Sequence, residues 1–253
     1  MLSEEIEIIW NQIISEVEIL VNKDTELTGF YHAYILQHKT FDMALSYILS
    51  SKLSNKYISQ VTIRDIFNEI YSVCNDILFF AIKDIQAVCN KNSEIKYYFV
   101  PLLYLKSFHA LQIYRISNFL WYNGKKSLAL YFQNAISSLF SVNIHPAAKI
   151  GHGIVLEYGT NICIGSTSII ENNVFIAQCV TLGRTEKDSR GVVQHPKVCE
   201  GVIIGANSMI LGNITIGTKT NIQAGSLILT SVPDNSVVCG IPATIISKKH
   251  EKN

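Results

Sequence analysis

This 253-residue sequence lacks an excess of charge of either sign. Its 21 Lys and Arg residues stand against 20 Asp and Glu, which leaves a formal charge of +1. Binding to a phosphate backbone requires a clear basic excess, so the composition excludes nucleic acid as a partner. There is also no run of about 18 apolar residues, and the first residues are acidic rather than basic. We therefore expect a cytoplasmic protein with no membrane span.

The six cysteines lack any pairing pattern. They lie far apart in the sequence, without a C-x-x-C pair and without histidine at the spacing of metal ligands. Such spacing favours neither a disulfide framework nor a zinc site. We interpret the cysteines as reduced packing residues and expect no metal cofactor.

Glycine and proline are nearly absent from residues 1–140. This stretch contains only two of the 14 glycines and one of the five prolines. In the same stretch, apolar residues recur at steps of three and four, as in Ile6, Ile9, Ile13 and Val17. That spacing predicts amphipathic helices. We therefore expect an all-α N-terminal domain over residues 1–140.

Beyond position 140 the apolar period changes to six. Outside one gap, every sixth position except Ser168 is aliphatic, and these positions are Ile144, Ile150, Leu156, Ile162, Val174, Val180, Val198, Ile204, Ile210, Ile216, Ile222 and Ile228. Such a hexapeptide repeat is typical of a parallel β-helix, in which each hexad forms one flat face and three hexads form a triangular coil. The sequence therefore predicts an α+β chain whose second domain, residues 141–253, is a β-helix.

One segment of the second domain, residues 183–197, is too polar to stack inside a coil. Val180 and Val198, which flank it, are separated by a whole number of hexads, so the segment should keep the frame of the repeat. We expect it to loop out as an arm, because insertions in a solenoid map to one face and often contact ligands. The alternative is a tolerated surface insertion without a function.

Several motifs are similar to those of the bacterial serine O-acetyltransferase family. They are Phe108–Gln112, Asn143–Gly151, Val180–Gly183, His195–Lys197 and Gly240–Ala243. Because the likeness extends over nearly the whole chain, the sequence resembles a member of that family. The resemblance implies a left-handed β-helix, a helical domain that mediates oligomerisation, and assembly as a homotrimer or a dimer of trimers. It also implies transfer of an acetyl group from acetyl-CoA to a hydroxyl group.

The resemblance assigns residues to the acceptor site as well, and five of them differ from the family pattern. The family uses a histidine base oriented by an aspartate, whereas this sequence has Tyr158 and Asn143 at those positions. The resemblance also implies aspartates that bind the ammonium group of serine, where this sequence has Asn92 and Glu157, and an arginine that binds its carboxylate, where this sequence has Gln194. A phenol is almost fully protonated at neutral pH, so Tyr158 is unsuited to be a base, although its hydroxyl can donate a hydrogen bond.

His195, at the base of the arm, is the histidine that this sequence keeps beside the acceptor site. An alcohol needs a base to remove its proton at neutral pH, and we expect His195 to be that base. The alternative is a relic with a packing role. For coenzyme A, the resemblance implies a groove between neighbouring β-helices, lined by Gly183, Thr185, Gly205 and Ala206, where small residues permit close approach of the backbone.

These differences lead to three hypotheses. The first is an acetyl-CoA-dependent O-acetyltransferase whose acceptor hydroxyl belongs to a sugar, a polysaccharide unit or a modified metabolite, because Asn92 and Gln194 no longer supply a pair of opposite charges. The alternatives are a serine O-acetyltransferase of cysteine biosynthesis and an inactive paralogue with a binding or regulatory role. The family members that dock into the next enzyme of cysteine synthesis have a longer tail ending in Ile, whereas this tail ends in Asn253. A cysteine synthase complex is therefore not expected.

Overall fold

The computed structural model describes residues 2–23, 25–185 and 194–248. The chain divides into two compact units, Met1–Gln112 and Ile113–Asn253. This division falls within a helix, whereas the change from helices to strands follows Phe140. No helix in the described ranges is long and apolar enough to cross a membrane. In the same ranges, no group of three or more His, Cys, Asp or Glu side chains is arranged to hold a metal ion.

The first unit is helical. Its elements are α1 (Leu2–Val21), a 3₁₀ turn (Thr25–Leu27), α2 (Thr28–Tyr31), a π-helical turn (His32–Leu36), α3 (Phe41–Leu53), α4 (Gln60–Val73), α5 (Asp76–Lys91), α6 (Phe99–Tyr104) and the start of α7 (Lys106–Tyr122). The stripe predicted for α1 is buried at Ile9, Ile13 and Val17, because residues four apart share one face of a helix. The predicted helical character of this region is confirmed.

The second unit contains the rest of α7, then α8 (Lys126–Phe140) and a series of short strands. The strands are β1 (Val142–Ile144), β2 (Lys149–Ile150), β3 (Val155–Leu156), β4 (Ile162–Ile164), β5 (Ile169–Ile170), β6 (Phe175–Ile176), β7 (Thr181–Gly183), β8 (Lys197–Val198), β9 (Ile203–Ile204), β10 (Met209–Leu211), β11 (Thr215–Ile216), β12 (Asn221–Ile222), β13 (Leu227–Ile228), β14 (Ser236–Gly240) and β15 (Ala243–Lys248). The ladders are parallel, apart from an antiparallel hairpin of β14 and β15. The predicted parallel β-helix is confirmed.

Three sheets form the faces of the prism. Face A contains β1, β4, β7, β10 and β13, face B contains β2, β5, β8 and β11, and face C contains β3, β6, β9, β12, β14 and β15. The chain passes from face A to face B to face C and returns to face A one coil further along. Two sets of turns concern the functional site. The A–B corner consists of residues 145–148, 165–168, 184–185, 194–196 and 212–214, and the C–A corner consists of residues 157–161, 177–180, 205–208 and 223–226.

The first coil is longer than the last by two residues. In the first coil Ile144 pairs with Ile164, whereas in the last Ile210 pairs with Ile228. The two extra residues lie in the C–A corner at positions 157–161. They shift the hexapeptide repeat by two positions.

This shift corrects the inward-facing row inferred from the sequence. After the insertion, the strand residues that pair with the inward-facing residues of the preceding coil are Ile164, Ile170, Ile176 and Leu182. Ile162, Val174 and Val180 instead fill the buried positions two residues earlier, where Ile162 is the first residue of β4 and the two valines directly precede β6 and β7. Ser168 has 1% exposure and occupies such a position, so it does not interrupt the row. Ile162, Ser168, Val174 and Val180 are all buried, and all but Ser168 are aliphatic. The sequence period of six therefore continues through the insertion and conceals it.

The arm does not keep the frame of the repeat. Across it Ile176 pairs with Ile204, whereas in the following coil Ile204 pairs with Ile222, so the arm lengthens its coil by ten residues. The expectation of whole hexads between Val180 and Val198 is wrong, because Val180 is a turn position and Val198 is a strand position. Part of the arm, residues 186–193, lies outside the described residues.

Candidate functional site

The residues predicted for the site divide between two corners of the prism. At or beside the A–B corner lie Gly183, Thr185, Gln194 and His195, and at the C–A corner lie Glu157, Tyr158, Gly205 and Ala206, while Asn143 lies on the outer surface of face A. The two corners are opposite edges of face A, so a single chain does not bring His195 and Tyr158 together. Asn92 belongs to the other compact unit.

His195 is held by Thr167, which the sequence did not identify. The backbone N–H of Thr167 donates to Nδ1 of His195 at 3.3 Å, and the Thr167 hydroxyl lies 2.8 Å from the same nitrogen. The backbone N–H of His195 in turn donates to Thr167 Oγ1 at 2.8 Å. A backbone N–H can only donate, so Nδ1 is an acceptor and Nε2 carries the proton of the neutral ring. None of the described residues bonds to Nε2, which leaves this atom to a substrate.

Gly165 provides the space for the imidazole of His195. A methyl group on its α-carbon would overlap the ring atoms Cγ, Cδ2 and Nε2. The ring therefore packs directly on the backbone where β4 ends. Together, Gly165 and Thr167 fix both the position and the rotation of the ring.

The surroundings of His195 favour its neutral form. Burial lowers its pKa below the ordinary value of 6.5, and the charges of Arg184 and His145 lower it further. At pH 7 the ring is therefore unprotonated, as a general base must be. The resting tautomer, however, presents an N–H from Nε2.

His145 anchors the turn at the same corner. Its Nδ1 accepts a hydrogen bond from the backbone N–H of Ala147 at 3.0 Å, and its ring meets Trp121 edge-on with centroids 5.0 Å apart. Asn118 of α7 donates to the Pro146 carbonyl at 2.8 Å. These contacts hold the first coil against α7, which gives His145 a structural role.

Asn143 lies on the outer surface of face A, next to Cys163 in the strand register. Gln133 of α8 donates from Nε2 to Asn143 Oδ1 at 2.8 Å. This bond fixes the orientation of the Asn143 amide, whose Nδ2 carries two N–H donors. An aspartate at this position would orient a base by its charge, whereas this amide is a neutral donor.

The two-residue insertion places Tyr158 on a bulge. Tyr158 and Asn161 have positive φ angles of 56° and 53°, a left-handed conformation that is uncommon outside glycine. The Tyr158 side chain is 69% exposed, and Thr160 Oγ1 donates to its carbonyl at 3.3 Å. The preceding Glu157 donates its backbone N–H to the Ile176 carbonyl at 2.8 Å. The bulge therefore directs the phenol to solvent, where a substrate or a second copy can meet it.

Two of the glycines expected to line the coenzyme groove have different surroundings. A methyl group at Gly205 would approach backbone atoms of Gln223 and Ala224 to between 2.5 and 2.9 Å. The packing of successive coils alone therefore explains Gly205. At Gly183 the nearest atom would be a methyl of the Leu211 side chain at 2.8 Å, which can move. A contact of either glycine with coenzyme A stays a prediction.

Asn92 ends α5 in the first unit. Its backbone N–H donates to the Val88 carbonyl at 3.0 Å, and its Oδ1 accepts from the backbone N–H of Glu94 at 2.9 Å. The side chain thus closes the turn after the helix, as asparagine often does. Its expected contact with substrate stays a prediction.

Four site residues were not identified from the sequence, namely Gln133, Gly165, Thr167 and Arg184. Thr167 lies far before His195 in the sequence and reaches it only because the arm returns the chain to the same corner. Glycine and threonine are ordinary turn residues of a hexapeptide coil, so no local signal distinguishes these two. Arg184 lay in the polar arm, but its proximity to His195 depends on the strand register.

Known proteins match nearly the whole chain. Residues 9–113 match the family described as serine acetyltransferase, N-terminal, and residues 195–230 match the bacterial transferase hexapeptide family. A serine acetyltransferase of Buchnera aphidicola subsp. Baizongia pistaciae (strain Bp) is 58% identical over 252 residues, which are 99% of this chain and 98% of the relative. A serine acetyltransferase of Escherichia coli (strain K12) is 46% identical over 248 residues, which are 98% of this chain and 90% of the relative.

A solved serine acetyltransferase in complex with CoA has the same fold. Its TM-score is 0.90 at 45% identity, and the match covers 95% of this chain and 100% of that chain. The expected order of a helical domain followed by a hexapeptide β-helix is confirmed, and so is the class of enzyme, an acyltransferase.

Two of the predictions about partners require correction. The prediction of a saccharide acceptor, and the prediction that a cysteine synthase complex is absent, are both wrong in the light of these relatives. They rested on charge changes at Asn92 and Gln194 and on the last few residues, and near-full-length identity to enzymes named for serine outweighs such local differences. The expected trimer or dimer of trimers concerns contacts between copies and stays a prediction. With 46% to 58% identity to these enzymes over almost its entire length, the chain belongs to the serine acetyltransferase family.

Proposed function

We propose that this chain is a serine O-acetyltransferase that takes its acetyl group from acetyl-CoA and uses His195 as its general base. The observation that carries the proposal is the environment of His195. The ring is packed on Gly165, bonded to Thr167 and kept neutral, and its Nε2 is left to a substrate. The names of the relatives support serine as the acceptor, and the related structure in complex with CoA supports the donor.

A complete site requires two copies of the chain in this proposal. His195 and Gly183 lie at one edge of face A, and Tyr158 and Ala206 lie at the other. If flat-sided prisms assemble around a cyclic axis, the A–B corner of one copy faces the C–A corner of the next. The groove between them then joins the two sets of residues.

The chemistry needs the transfer of one proton. His195 takes the proton of the serine hydroxyl as the oxygen attacks the carbonyl carbon of the thioester. The tetrahedral intermediate carries a negative oxygen, and it collapses by breaking the bond between carbon and sulfur. The protonated His195 then returns the proton to the leaving thiolate, so coenzyme A departs as a thiol.

The differences at positions 143 and 158 fit this scheme as neutral hydrogen-bond donors. Asn143, whose amide is oriented by Gln133, offers Nδ2, and Tyr158 offers an exposed hydroxyl. Donors aimed at a developing oxyanion stabilise the transition state strongly in a groove that excludes water. We assign both side chains to the oxyanion, contributed by the copy opposite His195.

Thr167 makes the base role of His195 possible. For Nε2 to accept a proton, the neutral ring must carry its proton on Nδ1. In that tautomer Nδ1 becomes a donor, and the Thr167 hydroxyl, 2.8 Å away, is able to accept from it. The hydroxyl thus donates in the resting state and accepts when the ring is ready to act.

The experiment that tests the proposal is the release of free thiol from acetyl-CoA by the purified full chain in the presence of serine. O-acetylserine, identified by mass spectrometry in equal amount to the thiol, is the expected result. A reaction without serine is the control for hydrolysis. If the protein binds CoA but forms no O-acetylserine, the proposal is wrong and an inactive paralogue is favoured.

A further inference from the structure

The family resemblance places an arginine for the acceptor carboxylate at position 194, but this residue is Gln194. The same corner nevertheless carries a guanidinium. Arg184 follows Gly183 at the end of β7, and Gln194 and His195 return to this corner at the other end of the arm. The two ends of the arm therefore lie at the same corner of the prism.

The strand register places Arg184 close to His195. Gly165 donates its backbone N–H to the Leu182 carbonyl at 3.1 Å, so the turn that starts at Gly165 lies against the chain that leaves Leu182. His195 packs on this turn and bonds to Thr167 within it. Arg184 lies two residues beyond Leu182, so its backbone leaves β7 beside the turn on which the imidazole packs.

Arg184 carries a charge without a counterion in the part of the chain that the structure describes. It is exposed, and none of the described residues forms an ion pair with it. Its charge reaches the imidazole, since it helps to lower the pKa of His195. A guanidinium is the side chain best suited to a carboxylate, which it binds through two parallel hydrogen bonds.

We propose that Arg184 binds the carboxylate of the acceptor amino acid and so takes over the role that Gln194 does not fill. This inference rests on the proposed function, because it concerns the same acceptor. In serine, the carboxylate and the hydroxyl are attached to adjacent carbons. A carboxylate held by Arg184 therefore places the hydroxyl beside Nε2 of His195. The residue selects alcohols that carry an α-carboxylate.

The test compares serine with serinamide, which lacks the carboxylate, in the wild type and in Arg184→Gln. We expect the substitution to raise KM for serine by about 10- to 100-fold, as for the loss of a bidentate charge-assisted hydrogen bond. For serinamide it should change KM by less than about threefold, because that substrate has no carboxylate to lose. The affinity for CoA, measured by calorimetry, should stay the same.

Two further variants separate a specific contact from a general effect of charge. Lys149→Gln removes the same charge from an exposed position on face B and should leave KM for serine unchanged. Gln194→Arg in the Arg184→Gln background should recover at least part of the affinity for serine, because it supplies a guanidinium from the other end of the arm. The inference is overturned if Arg184→Gln weakens serine and serinamide equally, or if it leaves KM for serine within twofold.

The experiment also distinguishes a failure of this inference from a failure of the proposed function. If the wild type does not acetylate serine, calorimetric binding of serine in the presence of CoA replaces KM as the readout. Binding that is lost in Arg184→Gln and kept in Lys149→Gln supports the carboxylate contact even without turnover. If the wild type neither acetylates nor binds serine, both the proposed function and this inference are wrong.

Discussion

The imidazole of His195 occupies the space that a side chain at position 165 would fill, and Gly165 leaves that space free. Gly165 does not have a positive φ, so its backbone is open to any L-residue. The ring is thus the nearest obstacle to a larger residue there. Because the ring terminates a movable side chain, a substitution at this position displaces the imidazole and spares the coil.

Gly165→Ala should lower turnover by about 10²-fold, since a displacement of about 1 Å in a reacting group has an effect of that size. The melting temperature should change little, because the backbone conformation suits alanine. Gly29→Ala is the matched control, as a methyl group there has no neighbour within 4 Å. Full activity in Gly165→Ala would show that the ring position seen here is not the one used in catalysis.

Thr167→Val removes the hydroxyl beside His195 and keeps the backbone N–H. Nδ1 then has only a donor next to it, so the ring stays locked with its proton on Nε2. We expect turnover to fall by about 10²-fold, at the lower end of the contribution of a general base, and Thr167→Ser to restore it. Nitrogen NMR of the imidazole reports the tautomer directly. If Thr167→Val keeps turnover within threefold of the wild type, the proposed tautomer exchange does not occur.

The pH dependence of activity should follow the charge of His195. A base acts only when unprotonated, so turnover rises with pH as the ring loses its proton. Burial, Arg184 and His145 lower the pKa of His195 below 6.5, and the rising limb therefore lies below pH 6.5.

Arg184→Gln removes one of these positive charges, so the pKa of His195 should move upward toward 6.5. An NMR titration of the ring in both proteins gives the two midpoints, with Lys149→Gln as the charge-matched control. An equal or lower midpoint in Arg184→Gln contradicts the placement of its guanidinium near the ring.

Asn143→Asp distinguishes a donor from an orienting charge at position 143. An aspartate keeps an oxygen for Gln133 but replaces the Nδ2 donor with a second oxygen. If Nδ2 stabilises the oxyanion, turnover should fall by about 10²- to 10³-fold. Gln133→Ala should have a smaller effect of the same sign. An increase in turnover in Asn143→Asp would mean that this position supports a base by charge, as in the family pattern.

The two periods of the sequence predicted most of the fold. Steps of three and four indicated the helices, and the step of six indicated the β-helix, because each period reflects burial of one face of a regular element. The two-residue insertion was missed because Ile162, Val174 and Val180 are as aliphatic as Ile164, Ile176 and Leu182, which lie two residues after them. Only the strand register, in which Ile144 meets Ile164, reveals it.

The site was predictable only in part. His195 stood out because it is an imidazole within a recognisable motif, but the residues that control it are Thr167 and Gly165. Both are common in turns, and both approach His195 through tertiary structure alone. Likewise, the sequence showed that position 194 lacks the positive charge of an arginine. It did not indicate that Arg184 lies at the same corner, since the arm separates the two residues along the chain.

The central claim is that His195 transfers the proton during acetylation of serine, and its most direct test is the turnover of His195→Ala. We expect a loss of about 10²- to 10⁴-fold with nearly unchanged affinity for CoA, which is the contribution of a positioned general base. Tyr158→Phe, measured alongside, should lose only about tenfold, less than Asn143→Asp, because it removes one hydrogen-bond donor without adding a negative charge. If Tyr158→Phe abolishes O-acetylserine formation and His195→Ala leaves it intact, the assignment of the base is wrong.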